Sequence, residues 1–586
     1  MSEDIFAIEI IKKALDSIAN EMFWVTIRTS KSPILYETFD FSTGVTTSEG
    51  DTVGISIGVP LWVGVMKYVA NSMIEGARKN GELFPGDIMI SNDPYRTGTH
   101  LNDIGLAMPI FYEDEIVAIA TAKGHLYDVG GMCPGSWSPV STEIYQEGIF
   151  IPPSKYYSRG KPNKDVINII VNNSRVPDFL FGDLEALAAA LRLADVRIKE
   201  LIDKYGYDLV KTAMHDSIED GIKRAKASLR ELPKGEFYAE DYLDESYVSE
   251  EPLKLSTRVK ITDKEFVVDF SEAPKAIPAS LNNPYPSTFA AVGTVFLAIT
   301  NPHIPFNQGL FYPLKVIAPE GTIFNVQKPY PVSVYWEAMT YASDLVWKAL
   351  APHIPEKFSA GHFLSVCSEI IAGTDPRTKE YFILCEPNPG GWGAGIDKDG
   401  ESALVAVSDG ETYSNPVEVL EIRYPILVER NELNIADGIG PGKFRGGFGV
   451  IKDYRVLADQ ATFTTDVNRS KFPPWGVHGG QKGTTNYMVV IRDGKEMMRV
   501  SRIANFKLQK GDIVSIRSGG GGGWGDPYER DPNRVLDDVK EALITPEQAR
   551  EIYRVVINPK TLEIDWKATE RLRAVKKKQP RNKISR

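Results

Sequence analysis

The segment THLNDIGLAMPIFYEDEIVAIATAKGH, residues 99–125, carries the sharpest signal in the chain. Two apolar, β-branched runs flank a polar turn at residues 112–115, a pattern that predicts a β-hairpin. A hairpin of this length returns the chain to its starting point, so we expect His100 and Asp103 to face His125. Two imidazoles and a carboxylate are a usual ligand set for a catalytic divalent metal that keeps an open position.

Asp40 lies in a second strand-like run, YETFDFSTGVTT (residues 36–47), and is a candidate for a second carboxylate ligand. Isolated histidines are more often packed or hydrogen-bonded than metal-bound, so spacing alone leaves a structural interpretation open. The chain has only seven histidines, however, and two lie here among Gly-rich loops. Such loops let the backbone approach a ligand closely. Asp128, three residues after His125, is a candidate for orienting a ligand or moving a proton.

The bulk composition is that of an acidic globular protein of 586 residues, with 42% hydrophobic residues and a net charge of −11. This charge argues against a nucleic-acid partner, which would require clustered basic residues. The one basic run, from Lys576 to the C-terminus, is interpreted as a solvated tail. No apolar window is long enough to span a membrane. Three cysteines without close spacing and the absence of a signal-peptide pattern predict a cytoplasmic protein.

The order of helical and strand-like patterns predicts an α+β fold with several lobes and mixed sheets. We divide it into a metal-binding α+β domain (1–245), a central α+β domain (246–380), a β-rich domain (381–526) and a helical tail with a basic terminus (527–586). Helices are predicted over residues 4–30, over PLWVGVMKYVANSMIEGARKNG up to Asn80-Gly81, and over 181–231 with a break at Gly206. Turn signals between short runs predict mainly β structure from about 380 to 525.

Several long motifs resemble the family of hydantoinase B, oxoprolinase and ketone carboxylase subunits. They include SNDPYRTGTHLNDIGLAMPIF, GHLYDVGGMCPGSWSPVS, FGDLEALAAAL, NPVEVLEIRYPILVERNEL, RSKFPPWGVHGG and GGGGGWGDPYERDP. The resemblance covers roughly residues 5–557 and implies a hydantoinase B-like fold. It departs from the family at THLND, where THLPD is the commoner form, and at VSVYWEAMTYASDLVWKAL. These departures affect the expected substrate and leave the ligand positions intact.

The resemblance implies that Asp40, His100, Asp103 and His125 hold one divalent metal, zinc or manganese. It also implies that ATP with Mg²⁺ binds a companion subunit of the hydantoinase A type. The leading hypothesis is ATP-dependent hydrolysis of a cyclic amide: a hydantoin, a lactam or oxoproline. An ATP-dependent ketone carboxylase, with a possible small third subunit, is the alternative. A metal-stabilised scaffold without catalysis is a third hypothesis.

The remaining motifs have structural interpretations beside their functional ones. Trp336, Glu337 and Tyr341 are candidate substrate contacts, although aromatic residues at near-helical spacing are more often core. The glycine run 519–523 lacks the Gly-Lys-Ser/Thr ending of a phosphate loop, so we predict a tight turn and no nucleotide site. Arg445 is expected to reach an acidic partner. A structural role is favoured for His478, and Cys133 lacks the surroundings of a nucleophile.

Overall fold

The computed structural model describes residues 2–56, 58–410 and 412–574, and these form the predicted α+β fold. The α-helices are α1 (Ser2–Thr29), α2 (Pro33–Tyr36), α3 (Pro60–Asn80), α4 (Pro94–Thr97), α5 (Lys164–Val171), α6 (Pro177–Tyr205), α7 (Tyr207–Glu231), α8 (Tyr285–Thr300), α9 (Trp336–Leu350), α10 (Val417–Arg423), α11 (Pro532–Lys540), α12 (Pro546–Tyr553) and α13 (Trp566–Ala574).

The strands are β1 (Phe41–Thr47), β2 (Thr52–Ile55), β3 (Ile88–Ser91), β4 (Asp103–Tyr112), β5 (Glu115–His125), β6 (Ser154–Ser158), β7 (Lys161–Pro162), β8 (Gly235–Leu243), β9 (Leu253–Ile261), β10 (Phe266–Asp269), β11 (Leu314–Ile317), β12 (Glu369–Thr374), β13 (Tyr381–Glu386), β14 (Ile426–Leu433), β15 (Val450–Val456), β16 (Gln460–Asp466), β17 (Tyr487–Arg492), β18 (Lys495–Val500), β19 (Arg502–Gln509) and β20 (Ile513–Arg517).

A seven-stranded sheet in the order β2-β1-β5-β4-β3-β6-β7 carries the N-terminal part of the chain. Its two faces pack against different layers, because alternate residues of a strand point to opposite sides. One face meets α3 through Met89, Ala107 and Ile119. The other face joins the main core through Ile90, Leu106 and Ala120, where α6 contacts β4 and β5. Both faces are therefore covered, and side chains at the end of this sheet can be buried.

The predicted helix boundaries agree with the structure because glycine marks them. Helix α3 ends at Asn80, and Gly81 follows with φ +136°, a backbone conformation that side chains with a Cβ rarely adopt. The long helical pattern breaks between α6 and α7 at Gly206, with φ +85°. The predicted hairpin is confirmed as β4 and β5, and its turn lies at the expected residues 113–114.

Three further sheets follow the first. They have the orders β11-β10-β9-β8, β13-β12-β16-β19 and β14-β15-β20-β17-β18. The predicted β region is confirmed, with α10 as a short helical insertion. Strand β8, before residue 245, pairs along its whole length with β9, and β12, before residue 380, pairs with β13 and β16. The boundaries at 245, 380 and 526 stay predictions.

The helical tail after residue 527 is present as α11 to α13, with a small core of its own around Val535 and Tyr553. Arg530 joins it to the rest of the chain, because its buried guanidinium donates to Asp399 at 2.6 Å and to Asp538 at 2.8 Å. Arg445 reaches the expected acidic partner, also Asp538, at 2.9 Å. The basic run from Lys576 lies outside the described residues. No described helix combines the length and the apolar character needed to cross a membrane.

Candidate metal centre

The end of the seven-stranded sheet brings three predicted ligands together. Asp103 is the first residue of β4 and His125 the last of β5, and the two are directly paired across the hairpin. Asp40 immediately precedes β1, which pairs with β5, and the backbone carbonyl of Asp40 accepts a hydrogen bond from the His125 N–H at 3.0 Å. His100 lies three residues before Asp103, in the turn that leads into β4.

Three ligand atoms from His100, Asp103 and His125 form a tight triangle. His100 Nε2 lies 3.1 Å from Asp103 Oδ1 and 3.0 Å from His125 Nδ1, and the third edge, His125 Nδ1 to Asp103 Oδ1, is 3.2 Å. Metal–ligand bonds of about 2.0–2.2 Å place neighbouring ligand atoms roughly 3–3.5 Å apart around one ion. The spacing therefore fits a shared divalent cation.

The hydrogen bond of the outer His100 nitrogen decides which nitrogen faces the cluster. His100 Nδ1 lies 2.9 Å from the carbonyl oxygen of Ser333, and a carbonyl can only accept, so Nδ1 carries the proton. In the neutral ring Nε2 then presents a lone pair toward Asp103 and His125. Asp103 Oδ2 is buried and has no hydrogen-bond partner within the described part of the chain. Converging lone pairs and an unpartnered carboxylate oxygen form a donor set that a divalent cation would satisfy.

The electrostatics of the triangle favour an ionised Asp103. Burial raises the pKa of Asp103, but its interactions with the His100 and His125 imidazoles outweigh burial and hold the pKa below its usual value. All three residues are at most 5% exposed. A carboxylate that stays ionised in a buried site is suited to bind a cation.

Two more carboxylates, Asp40 and Asp409, line the same cavity. Burial, with the nearby charge of Asp103, raises the pKa of Asp409 to about 7. Burial also raises the pKa of Asp40 to about 7, against the opposing influence of His125. Asp40 is not part of the group whose ligand atoms lie within 4.8 Å of one another. Asp409 was missed by sequence analysis, because a single Asp some 280 residues from the hairpin carries no spacing signal.

The cavity has a volume of about 60 Å³. One water needs roughly 10–15 Å³ by this measure, so a small ligand fits beside an ion. Its walls come from distant parts of the chain: the first turn of α3 at Trp62, the start of α9 at Tyr335 and Trp336, Ser368 just before β12, and Cys385 near the end of β13.

Glu147, a residue that sequence analysis did not single out, holds the wall behind His100. Its buried carboxylate accepts hydrogen bonds from the N–H groups of Val332 and Ser333, at 3.0 and 2.8 Å, and from the Ser141 hydroxyl at 2.6 Å. Because Ser333 supplies the carbonyl that binds His100, Glu147 acts on the orientation of that imidazole through the backbone. Contacts of this kind orient metal ligands and set their tautomer.

Of the three predicted substrate contacts, only Trp336 lines the cavity. Glu337 is fully buried and accepts hydrogen bonds from Trp336 Nε1 and from the Ser365 hydroxyl. Tyr341 donates its hydroxyl proton to the Tyr242 carbonyl at 2.9 Å. Side chains at successive positions of a helix face different directions, so Glu337 and Tyr341 point into the core behind the cavity wall.

Asp128 also lies away from the cavity, in the loop that follows β5. Its carboxylate accepts from the backbone N–H groups of Gly130, Gly135 and Arg175, and from the Arg175 guanidinium at 2.9 Å. These four bonds occupy both oxygens. Asp128 therefore organises the loop, and it is not among the described residues that line the cavity.

The other motifs are structural. The glycines at 519–523 are buried with their backbone against other glycine-rich loops, and a Cβ on Gly521 would lie 2.1 Å from the Trp392 carbonyl oxygen. No helix begins there, so no phosphate loop is formed. Burial raises the pKa of Cys133, which opposes a nucleophilic role. His478 is exposed and lines a separate groove.

Comparison with known proteins places this chain in a family. Caprolactamase subunit beta of Pseudomonas jessenii is 30% identical over 591 residues, covering 97% of this chain and 99% of the relative. The crystal structure of ATP-dependent caprolactamase from Pseudomonas jessenii matches with a TM-score of 0.90 and 27% identity, over 97% of this chain and 99% of that chain. The nucleotide-free structure of an acetone carboxylase matches with a TM-score of 0.90 over 98% of this chain and 83% of that chain; at 20% identity it shows the fold alone. The family model for hydantoinase B/oxoprolinase matches residues 4–527. The chain is thus a member of the hydantoinase B/oxoprolinase family.

Proposed function

We propose that this chain is the metal-binding subunit of an ATP-dependent, two-subunit enzyme that hydrolyses a cyclic amide. One observation carries the proposal: three ligand atoms, 3.0–3.2 Å apart, converge at a buried cavity in a chain of this family. A related chain is named as subunit beta of a caprolactamase, and a similar structure is described as ATP-dependent.

His100, Asp103 and His125 would hold the metal, with Asp40 as a fourth ligand from the start of β1. Zinc and manganese both accept such a set of imidazoles and carboxylates. When bound, the ion supplies Lewis acidity that polarises an oxygen and makes water a better nucleophile near neutral pH. Two imidazoles and carboxylates without cysteine leave room for a reactant, which favours catalysis over a purely structural site.

Asp409 and the cavity walls supply the rest of the chemistry. The Asp409 carboxylate, with its pKa raised to about 7 by burial and by Asp103, is suited to move a proton to the departing ring nitrogen. Tyr335 and Trp336 close the side of the cavity against His100, with ring centroids 5.2 and 5.5 Å from the imidazole. These rings limit the entry of bulk water, which strengthens electrostatic interactions inside.

The energy for opening an unreactive amide would come from the partner. ATP and Mg²⁺ would bind a hydantoinase A-type subunit, and the description of a similar structure as ATP-dependent supports this. The partner would phosphorylate the amide oxygen, and this chain would receive the activated compound. The three cysteines are free, which supports a reducing, cytoplasmic location.

The second candidate is an ATP-dependent ketone carboxylase. The cavity favours it in one respect, because flat aromatic rings at Trp62, Trp137 and Trp336 would suit a small planar ketone. Carbon–carbon bond formation with bicarbonate or CO₂ would then replace hydrolysis. A small third subunit would accompany such an enzyme.

The test uses the complex of this chain with its A-type partner. Metal content is measured for wild type, His125→Ala and, as a control, His215→Ala at an exposed position on α7. We expect His125→Ala alone to lose the ion and substrate-dependent ATP turnover. Turnover is screened with hydantoins and lactams against ketones plus bicarbonate. Unchanged metal content in His125→Ala would refute the site, and activation only by ketone plus bicarbonate would refute hydrolysis.

A further inference from the structure

Glu386, the last residue of β13, is a buried carboxylate beside the metal cavity and outside its walls. Its chain neighbours Cys385 and Pro387 line the cavity, and Glu386 does not. Successive side chains of a strand face opposite sides, so the Glu386 carboxylate points away from the cavity. A buried charge is costly unless partners compensate it, and the hydrogen bonds of Glu386 therefore show what it holds in place.

One oxygen of Glu386 binds the neighbouring five-stranded sheet. Glu386 Oε2 accepts hydrogen bonds from the Lys452 ammonium at 2.6 Å and from the Tyr454 hydroxyl at 2.5 Å, both on β15. Glu369, directly paired with Glu386 on β12, is buried too. Burial and the charge of Glu386 raise the pKa of Glu369 well above its usual value, so Glu369 stays neutral. Lys452 and Glu386 thus form a buried ion pair of one cation and one anion.

The other oxygen of Glu386 holds the part of the chain that carries Asp409. Glu386 Oε1 accepts a hydrogen bond from the Asn415 backbone N–H at 2.5 Å. Asn415 ends what we call the Asp409 segment, residues 406–410 and 412–415. Within it, the Thr412 N–H donates to the Asp409 carbonyl at 3.1 Å and closes a turn. The hydrogen bond to Glu386 therefore fixes the end of the turn that presents Asp409.

The Asp409 segment lies between the metal cavity and a surface groove. Asp409 and Thr412 line the cavity, whereas Thr412, Tyr413 and Asn415 line the groove. Another backbone contact of the segment, from the Tyr413 N–H to the Thr38 carbonyl, is longer at 3.3 Å. A shift of the segment would move Asp409 relative to the metal ligands, and a misplacement of about 1 Å can cost about a hundredfold in rate.

We propose that Glu386, paired with Lys452, is a positioning residue of the reaction: its carboxylate holds the Asp409 segment so that the Asp409 side chain faces the metal ligands. A charge-assisted hydrogen bond to a backbone N–H is shorter and stronger than a neutral one, which suits this role. The inference rests on the proposed function, in which Asp409 moves a proton, and adds a residue that acts through Asp409 without touching the reactant.

Glu386→Gln tests the anchor in the complex of this chain with its partner. An amide has one acceptor oxygen, and the Lys452 ammonium would hold it, so the NH₂ group would face the Asn415 N–H. We expect kcat to fall about 10–100-fold, with KM within about twofold of wild type and unchanged metal content. In the Asp409→Asn background, Glu386→Gln should lower kcat no further, because Asp409 is then no longer there to be positioned. A wild-type kcat in Glu386→Gln, or a loss that adds to that of Asp409→Asn, overturns the proposal.

Asp87→Asn is the matched control for loss of a buried carboxylate. Asp87 is buried, pairs with Lys155 at 2.7 Å and accepts from the Arg159 N–H at 2.7 Å. It lies ahead of β3, at the end of that strand farther from Asp103. We expect Asp87→Asn to lose stability and keep the wild-type kcat, and an equal loss of kcat in this control would show that Glu386→Gln acts through stability alone.

Two neutral double variants keep the test valid if Glu386→Gln does not fold. Replacing a buried ion pair by neutral groups of similar volume is often tolerated. In Glu386→Gln/Lys452→Met the amide oxygen can turn to the Asn415 N–H, and its NH₂ can donate to the Tyr454 hydroxyl. Glu386→Met/Lys452→Met offers no acceptor. We expect the kcat of the first to exceed that of the second by about tenfold or more, and equal values would refute the role of the acceptor.

Hydrogen–deuterium exchange gives a readout that needs no turnover. We expect the Asn415 amide of the full chain to exchange about tenfold faster or more in Glu386→Gln, and at the wild-type rate in Asp87→Asn. Wild-type exchange in Glu386→Gln would contradict the anchor. Because kcat is measured with whichever compound supports ATP turnover, activation by ketone plus bicarbonate would refute amide hydrolysis and leave the positioning role to be decided by these variants.

Discussion

Replacing Glu147 by Gln tests whether the backbone behind His100 controls the metal centre. The amide is nearly isosteric, but its NH₂ group would face an N–H donor, since both carboxylate oxygens accept from the 332–333 backbone. A buried donor left unpaired costs about 1–3 kcal/mol, so we expect a loss of stability in that range. The Ser333 carbonyl would lose its fixed position, and the His100 imidazole its orientation. Loss of such a supporting contact weakens metal binding about 10–100-fold.

The assay is the Zn²⁺ dissociation constant of the purified chain, measured by competition with a chromophoric chelator, alongside the urea unfolding midpoint. Glu185→Gln is the matched control, because Glu185 accepts from the hydroxyls of Tyr156 and Tyr157, away from this backbone. We expect both variants to lose stability and only Glu147→Gln to lose affinity. Wild-type affinity in Glu147→Gln, or an equal loss in Glu185→Gln, would refute the reasoning.

Two further predictions concern titratable side chains. Burial, with the positive charge of Arg469, lowers the pKa of His362 to about 3, and neither ring nitrogen has a partner within the described part of the chain. The unfolded chain takes up this proton near pH 6.5 and the folded chain does not, so His362 contributes stability above pH 6.5 that is lost as the pH falls toward 3. Between pH 6.5 and 5 this loss is about 2 kcal/mol. The free energy of unfolding in urea is measured against pH for wild type, for His362→Phe and, as a control, for His215→Gln. We expect the free energy of unfolding of His362→Phe to fall less steeply below pH 6.5, and parallel curves for wild type and this variant would contradict the prediction. Asp409→Asn should lower kcat about a hundredfold at unchanged metal content. Asp397→Asn, at an exposed position, is the control and should keep the wild-type kcat. A wild-type kcat in Asp409→Asn would exclude a role of Asp409 in proton transfer.

Local patterns in the sequence were sufficient to predict the hairpin and the cluster of candidate ligands at its open end. The alternation of apolar residues and the polar turn at 112–115 decide the pairing of β4 with β5, and that register alone places Asp103 opposite His125. Helix ends at Asn80 and Gly206 could also be predicted, because glycine with positive φ leaves a local signal.

Side-chain direction within α9 was decided only by tertiary packing. The aromatic segment predicted a helix packed in the core, but the sequence did not show which of its residues faces the cavity. Trp336 lines the cavity, while Glu337 and Tyr341 point into the core. The difference arises because α8, β8, β9 and the segment around Asn468 pack against this helix, and none of them is adjacent to it in the chain.

Asp40 illustrates both what the sequence could predict and what it could not. Its strand-like surroundings correctly placed it beside β1, and the pairing of β1 with β5 brings its backbone to His125. Whether its carboxylate joins the metal depends on side-chain geometry, and it lies outside the cluster of close ligand atoms.

The sequence alone was sufficient to predict the α+β fold, the hairpin and the meeting of His100, Asp103 and His125, because these depend on periodicity and on residues close together in the chain. Only the tertiary structure revealed Asp409 in the cavity wall and Glu147 behind His100. These residues meet because separate sheets and loops close over one end of the first sheet, and burial and charge inside a cavity are properties of that enclosure, not of any local segment.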